Sequence, residues 1–153
     1  MTNQEAIVKM QRYCSYQDRC HHDVRYKLVS LKVYGDQLEE VLSELIQQGY
    51  LSDERYARNF ARGKYRMNKW GKQRITRELK AKKISAYCIQ KAMKEIDEEG
   101  DYFDTLLSLI EKYVTPRRDK YDKRILQQKV YQHAMGKGYE SELIQQALQQ
   151  AAI

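Results

Sequence analysis

The chain has 153 residues, 42% of them apolar, and a formal net charge of +7, enough to bury the core of one domain or of a short array of small units. It holds no run of 18 apolar residues that would cross a membrane, and it opens on Met1-Thr2-Asn3-Gln4-Glu5, which lacks the apolar stretch of a signal peptide. Its three cysteines, Cys14, Cys20 and Cys88, form no Cys-x-x-Cys, so the expectation is a cytoplasmic protein with reduced thiols and no disulfide framework.

One Pro, seven Gly and abundant Lys, Gln, Glu, Leu and Ala favour helices. No stretch alternates with period two for long enough to argue a sheet. In chain order, helices are expected near 3–15, 21–32 and 36–48 in a first unit (1–50). A second unit (51–98) has them near 53–67, 71–83 and 86–97, and a third (99–153) near 101–114, 119–136 and 140–151. Ser52 before Asp53-Glu54 predicts a capped helix start whose two acids face the positive dipole end. Ser85 predicts another cap. Gly49, Gly71, Gly100 and Gly138 fall at joints, where a left-handed residue can end a helix.

The three units carry one apolar pattern. Val33, Leu38, Val41, Leu42 and Leu45 recur as Ile84, Ile89, Ala92, Met93 and Ile96, then as Tyr139, Ile144, Ala147, Leu148 and Ala151. Val24 and Leu28 correspond in the same way to Ile75 and Leu79, then to Val130 and Ala134. A period near 50 residues with three helices per period predicts an all-α fold of three tandem three-helix repeats. No unit buries much alone, so neighbours are expected to share apolar surface and build an elongated, curved rod.

The positive charge is local. Residues 52–97 hold 14 Lys/Arg against 5 Asp/Glu, while each flank is slightly acidic. Along the first helix of this segment Arg55, Arg58, Arg62 and Arg66 recur at spacings of three and four, opposite Ala57, Phe60 and Ala61. On the next helix Ile75 and Leu79 form the buried stripe, with Lys72, Arg74, Arg77, Lys80 and Lys83 around the remainder. Glu78 stands at the right spacing to pair with Arg74 and Lys82. Such a block suits a polyanion, through counterion release, or an acidic protein groove.

Gly49-Tyr50-Leu51-Ser52-Asp53-Glu54-Arg55-Tyr56-Ala57 resembles the G-[FY]-L-D-D-x-R-[FY]-A signature of the RecX family. Trp70-Gly71-Lys72-Gln73-Arg74-Ile75-Thr76-Arg77-Glu78-Leu79, followed by Lys83-Ile84-Ser85, is similar to a second segment of that family. Gly138-Tyr139, with Ile144 and Ala147-Leu148, resembles its weaker closing motif. Ser52 replaces an Asp, and no Gly stands between Lys83 and Ile84. The resemblance implies a regulator of the RecA recombinase, built of three tandem three-helix repeats. Such a protein binds the groove of the RecA–DNA nucleoprotein filament and mostly inhibits ATPase, strand exchange and filament growth, in DNA repair and the SOS response. It implies no catalysis and no cofactor. On this reading Arg58, Arg62, Lys64, Arg66, Lys69, Lys72 and Arg77 supply positive potential toward acidic RecA surface and DNA phosphate. Tyr56, Phe60, Ile75 and Leu79 hold the presenting helices.

Other chemistry is weak in the sequence. There is no phosphate-binding Gly loop and no dinucleotide fingerprint. Cys14, Cys20, His21 and His22 are close in sequence but lack a second ligand pair at zinc spacing. His133 reads as a boundary residue rather than a base, and Trp70 as a core plug. A monomer is expected. The competing reading is a stand-alone module for single-stranded nucleic acid, supported by the same basic block; Tyr56, Phe60 and Tyr65 could stack on bases there, although aromatics on helices are more often packing residues.

Overall fold

The structure is a computed structural model that describes residues 1–151 and 153. Among these it contains nine α-helices and one 3₁₀ turn: α1 (Asn3–Tyr16), α2 (His21–Ser30), α3 (Gly35–Gln47), α4 (Asp53–Asn68), α5 (Lys72–Ala81), α6 (Ala86–Glu98), α7 (Tyr102–Val114), the 3₁₀ turn (Thr115–Arg117), α8 (Lys123–Lys137) and α9 (Ser141–Gln150). The fold is all-helical and built of tandem three-helix units, as the apolar repeat predicts. Thr2, Ser52, Ser85 and Asp122 each accept a hydrogen bond from a first-turn N–H, at 3.1, 3.2, 3.2 and 2.9 Å. No described helix is long and apolar enough to cross a membrane.

The repeat has a backbone counterpart. A residue one or two positions after the second helix of each unit lies in the left-handed region: Lys32 (φ 64°), Lys83 (φ 61°) and Gly138 (φ 102°). The next N–H then reaches back to the same place in each unit. Val33 donates to the Leu28 carbonyl at 2.9 Å, Ile84 to Leu79 at 3.2 Å and Tyr139 to Ala134 at 3.2 Å. These are Schellman-type bonds that satisfy an orphan helix carbonyl. The turn lacking a Gly before Ile84 is therefore made by Lys83 itself.

α8 begins four residues later than the sequence suggests. Pro116 falls in the 3₁₀ turn after α7, and the helix restarts where the Asp122 side chain can cap it.

The core is divided unevenly. Ala6, Met10, Val24, Leu28, Val33, Leu38, Val41, Leu42 and Leu45 form a core of the first unit, closed by Leu51 ahead of α4. The first unit thus buries a core of its own, contrary to the expectation that no unit does. A second, larger core runs without a break through α4–α9, from Ala57, Ile75 and Leu79 to Leu106, Ile110, Tyr139 and Ile144. The first unit contributes one buried residue to it, Cys20. Burial pushes that thiol up to about 11.

The two joints differ accordingly. Between the first and second units, apart from buried Cys20 and Leu51, the side-chain contacts are polar. The His21 N–H donates to Asp53 Oδ1 at 2.9 Å, Lys82 Nζ reaches Asp23 at 2.6 Å, and Asn59 reaches Asp18 at 3.1 Å. Burial works to raise the Asp23 carboxyl, but hydrogen bonds from Lys82 and the Cys20 N–H outweigh it and hold the group below the usual range.

Between the second and third units the chain closes backbone to backbone. The Gly71 N–H donates to the Lys137 carbonyl at 2.7 Å and the Gln73 N–H to the Gly138 carbonyl at 3.0 Å. Tyr65, Tyr102 and Tyr139 stack in sequence, with ring centroids 5.9 and 5.2 Å apart. Their hydroxyls donate to Asp101 (2.6 Å), Glu140 (2.6 Å) and the Lys69 carbonyl (2.9 Å). Tyr102 Oη also accepts from the Lys72 N–H at 2.9 Å.

Candidate partner-binding face of the second unit

α4 and α5 are fixed by their apolar sides. Ala57, Ala61 and Tyr65 on α4, with Ile75 and Leu79 on α5, are buried against α6 and the third unit. Tyr56 is also buried, beside Phe60 at 5.9 Å, and burial raises its phenol well above the usual range. Tyr56 and Tyr65 are thus core residues and are not available to stack on a base. Trp70 is half-buried at the edge of the core. It lies 6.2 Å from Phe60, and the Arg74 guanidinium sits 4.0 Å from its ring centroid.

The seven cations singled out in the sequence fall into two groups. Arg58, Arg66 and Lys72 point to carboxylates at and just beyond the end of α6. Arg58 lies 3.0 Å from Glu95 and 3.5 Å from Glu54, Arg66 2.7 Å from Glu99, and Lys72 2.7 Å from Asp97 and 3.9 Å from Glu140. The hydrogen bond to Glu99 raises the Arg66 guanidinium further. Arg62, Lys64, Lys69 and Arg77 have no carboxylate partner among the described residues. Arg62 donates to the Asn59 side chain at 3.0 Å, and Lys64 Nζ stands 4.9 Å from the Trp70 centroid. Lys69 caps α4 in the left-handed conformation, and Arg77 is exposed.

Local charge counting missed this division because, Glu54 apart, the acids lie at least 25 residues from the cations they meet. They come together only through packing between helices. Glu78 also differs from its expected role. Lys82 goes to Asp23 and Arg74 to Trp70, so Glu78 stays exposed without an ion pair among the described residues.

The remaining motif residues are structural. Asp53 receives the His21 N–H, and Arg55 donates to the carbonyls of Gly49 and Tyr50 at 3.1 and 3.2 Å. Arg55 closes the turn from α3 into α4, and Asp53 ties the start of α4 to the start of α2. Gly71 permits the close approach to Gly138. Cys20 and His21 belong to the joint between the first and second units, and no group of three His, Cys, Asp or Glu among the described residues could hold a metal ion. His133 stacks on Tyr113 at 4.3 Å. Burial, with Lys137 and Arg117 nearby, lowers its imidazole.

Comparison with known proteins agrees with the motifs. The family profile for the second three-helix domain of RecX matches residues 52–93, and that for the third three-helix domain matches residues 99–148. The chain belongs to the RecX family. A regulatory protein RecX of Lactococcus lactis subsp. cremoris (strain SK11) is 32% identical over 128 residues, covering 83% of this chain and 48% of the relative. One of Lactobacillus gasseri is 28% identical over 144 residues, covering 94% of this chain and 52% of the relative. The chain therefore spans about half the length of these curated relatives. The fold is similar to a crystal structure of RecX from Lactobacillus salivarius, with TM-score 0.86 and 24% identity over 97% of this chain and 95% of that one. A crystal structure of a regulatory protein RecX gives TM-score 0.82 and 26% identity over 94% of this chain and 70% of that one.

Proposed function

We propose that this RecX-family chain binds the RecA–DNA filament and restrains RecA, lowering its ATPase and filament growth without catalysis or a cofactor. It acts as a monomer in the cytoplasm. The observation that carries the reading is the set of cations Arg62, Lys69 and Arg77, without carboxylate partners on the unit that matches the second three-helix domain of RecX. These cations can meet acidic protein surface and DNA phosphate in a filament groove. Arg58, Arg66 and Lys72 stiffen the unit through their ion pairs and contribute less. The alternative, a module that binds single-stranded nucleic acid alone, has fewer stacking residues than the sequence suggests, because Tyr56 and Tyr65 are buried.

The test is RecA ATPase on single-stranded DNA with substoichiometric amounts of this chain, beside its affinity for bare and RecA-coated DNA at two salt concentrations. Inhibition with weak binding to bare DNA supports the reading. Tight, steeply salt-dependent binding to bare DNA, with no effect on RecA, would replace it by the alternative.

A further inference from the structure

α5 and α6 leave a groove between them that their own packing does not fill. Two adjoining cavities, of about 360 and 440 Å³, share Thr76 and Lys80 as lining residues. Ile89 and Met93 floor the second, and the Lys72–Asp97 ion pair links the rims of the two. Asp97 is neutralised by that pair. The other charges on the lining are Arg77, Lys80 and Lys94, all exposed and all without a carboxylate partner among the described residues. The aliphatic stems of Arg77 and Lys80 extend the apolar floor while their heads remain in water.

We propose that this groove docks an acidic amphipathic helix of a protein partner, with apolar anchors on Ile89 and Met93 and carboxylates on Arg77, Lys80 and Lys94. Charge complementarity selects an acidic segment. The lining contains no aromatic side chain, which disfavours a single nucleic-acid strand, since that would need stacking platforms. A trough between two helices accepts the ridge of a third. The proposal deepens the filament reading and rests on it only for the source of the helix.

The probe is a designed Glu-rich helical peptide with Leu along one face, titrated by fluorescence anisotropy against the full chain. Controls are a peptide of equal composition with its Leu residues scattered, and oligothymidine. Saturable binding is expected for the designed peptide and not for the scattered one. The Arg77→Glu, Lys80→Glu and Lys94→Glu triple variant should weaken it at least about tenfold. Met93→Gln, at a half-buried site, should weaken it several-fold with helicity unchanged.

No saturable binding, or equal binding by the scattered peptide, would overturn the proposal. So would tight binding of oligothymidine that Met93→Gln leaves unaltered. RecA ATPase measured with the wild-type chain, beside its peptide titration, separates the two ideas. Intact RecA inhibition without peptide binding removes the groove and leaves the filament reading. Peptide binding by a chain that does not inhibit RecA does the reverse.

Discussion

A Cβ placed on Gly71 would stand 2.4 Å from the carbonyl carbon of Gly138. The contact is backbone against backbone, so no flexible side chain can yield. Gly71 is also the N-cap of α5 and donates to the Lys137 carbonyl, so it ties the basic unit to the third unit. Gly71→Ala is therefore expected to cost about 1–3 kcal/mol by forcing the two units apart. Urea denaturation measures the loss, and wild-type stability in the variant would show that the joint is softer than its geometry.

The turn at Lys83 gives a prediction of opposite sign. An L-residue at φ 61° carries a left-handed penalty of about 1–2 kcal/mol, part of which glycine gives back through its freer unfolded chain. Lys83 is exposed, so its side chain adds little to packing. Lys83→Gly is expected to stabilise the protein by about 0.5–1 kcal/mol in thermal or denaturant unfolding. A destabilised variant would mean that the lysine stem holds the turn.

These two sites mark what was legible in the sequence. The stripes Ile75/Leu79 and Val24/Leu28 are helix-periodic, and Ser52 and Ser85 are local caps, so fold class and helix count followed from neighbours in the chain. The partners of Arg58, Arg66 and Lys72 did not, because Glu95, Glu99 and Asp97 reach them through packing between helices. Lys94 went unnoticed for the same reason: it matters only because α6 lies beside α5. The late start of α8 was signalled by Pro116 and Asp122, but the helical composition between them masked it.

The polar joint between the first two units gives a pH prediction. The Asp23 carboxyl is held below its ordinary value, so it contributes stability above about pH 4 that is lost as pH falls through its depressed folded value. The Lys82 ammonium is raised by the hydrogen bond to Asp23. Its contribution is present below about pH 10 and is lost as pH rises through the raised value. The pair therefore holds the joint throughout the neutral range. Asp23→Asn should lower stability at pH 7 and flatten the acid limb of the stability curve, read by urea unfolding at several pH values. An acid limb as steep as that of the wild type would assign the loss to other carboxylates.

The division of the cations yields the sharpest functional contrast. Reversing Arg62, Lys69 and Arg77 to Glu removes charges with no carboxylate partner among the described residues, so helicity and stability should change by less than about 0.5 kcal/mol per site. If the basic face docks on the filament, RecA inhibition should fall at least about tenfold. Reversing Arg58, Arg66 and Lys72 instead places carboxylates against Glu95, Glu99 and Asp97. That set should destabilise the protein measurably through like-charge repulsion, and its loss of inhibition should track the unfolded fraction. Circular dichroism and RecA ATPase, measured on both triple variants, decide the matter. If the second set alone abolishes inhibition while remaining fully folded, the ion-paired cations are the docking residues and the unpaired ones are solvated surface.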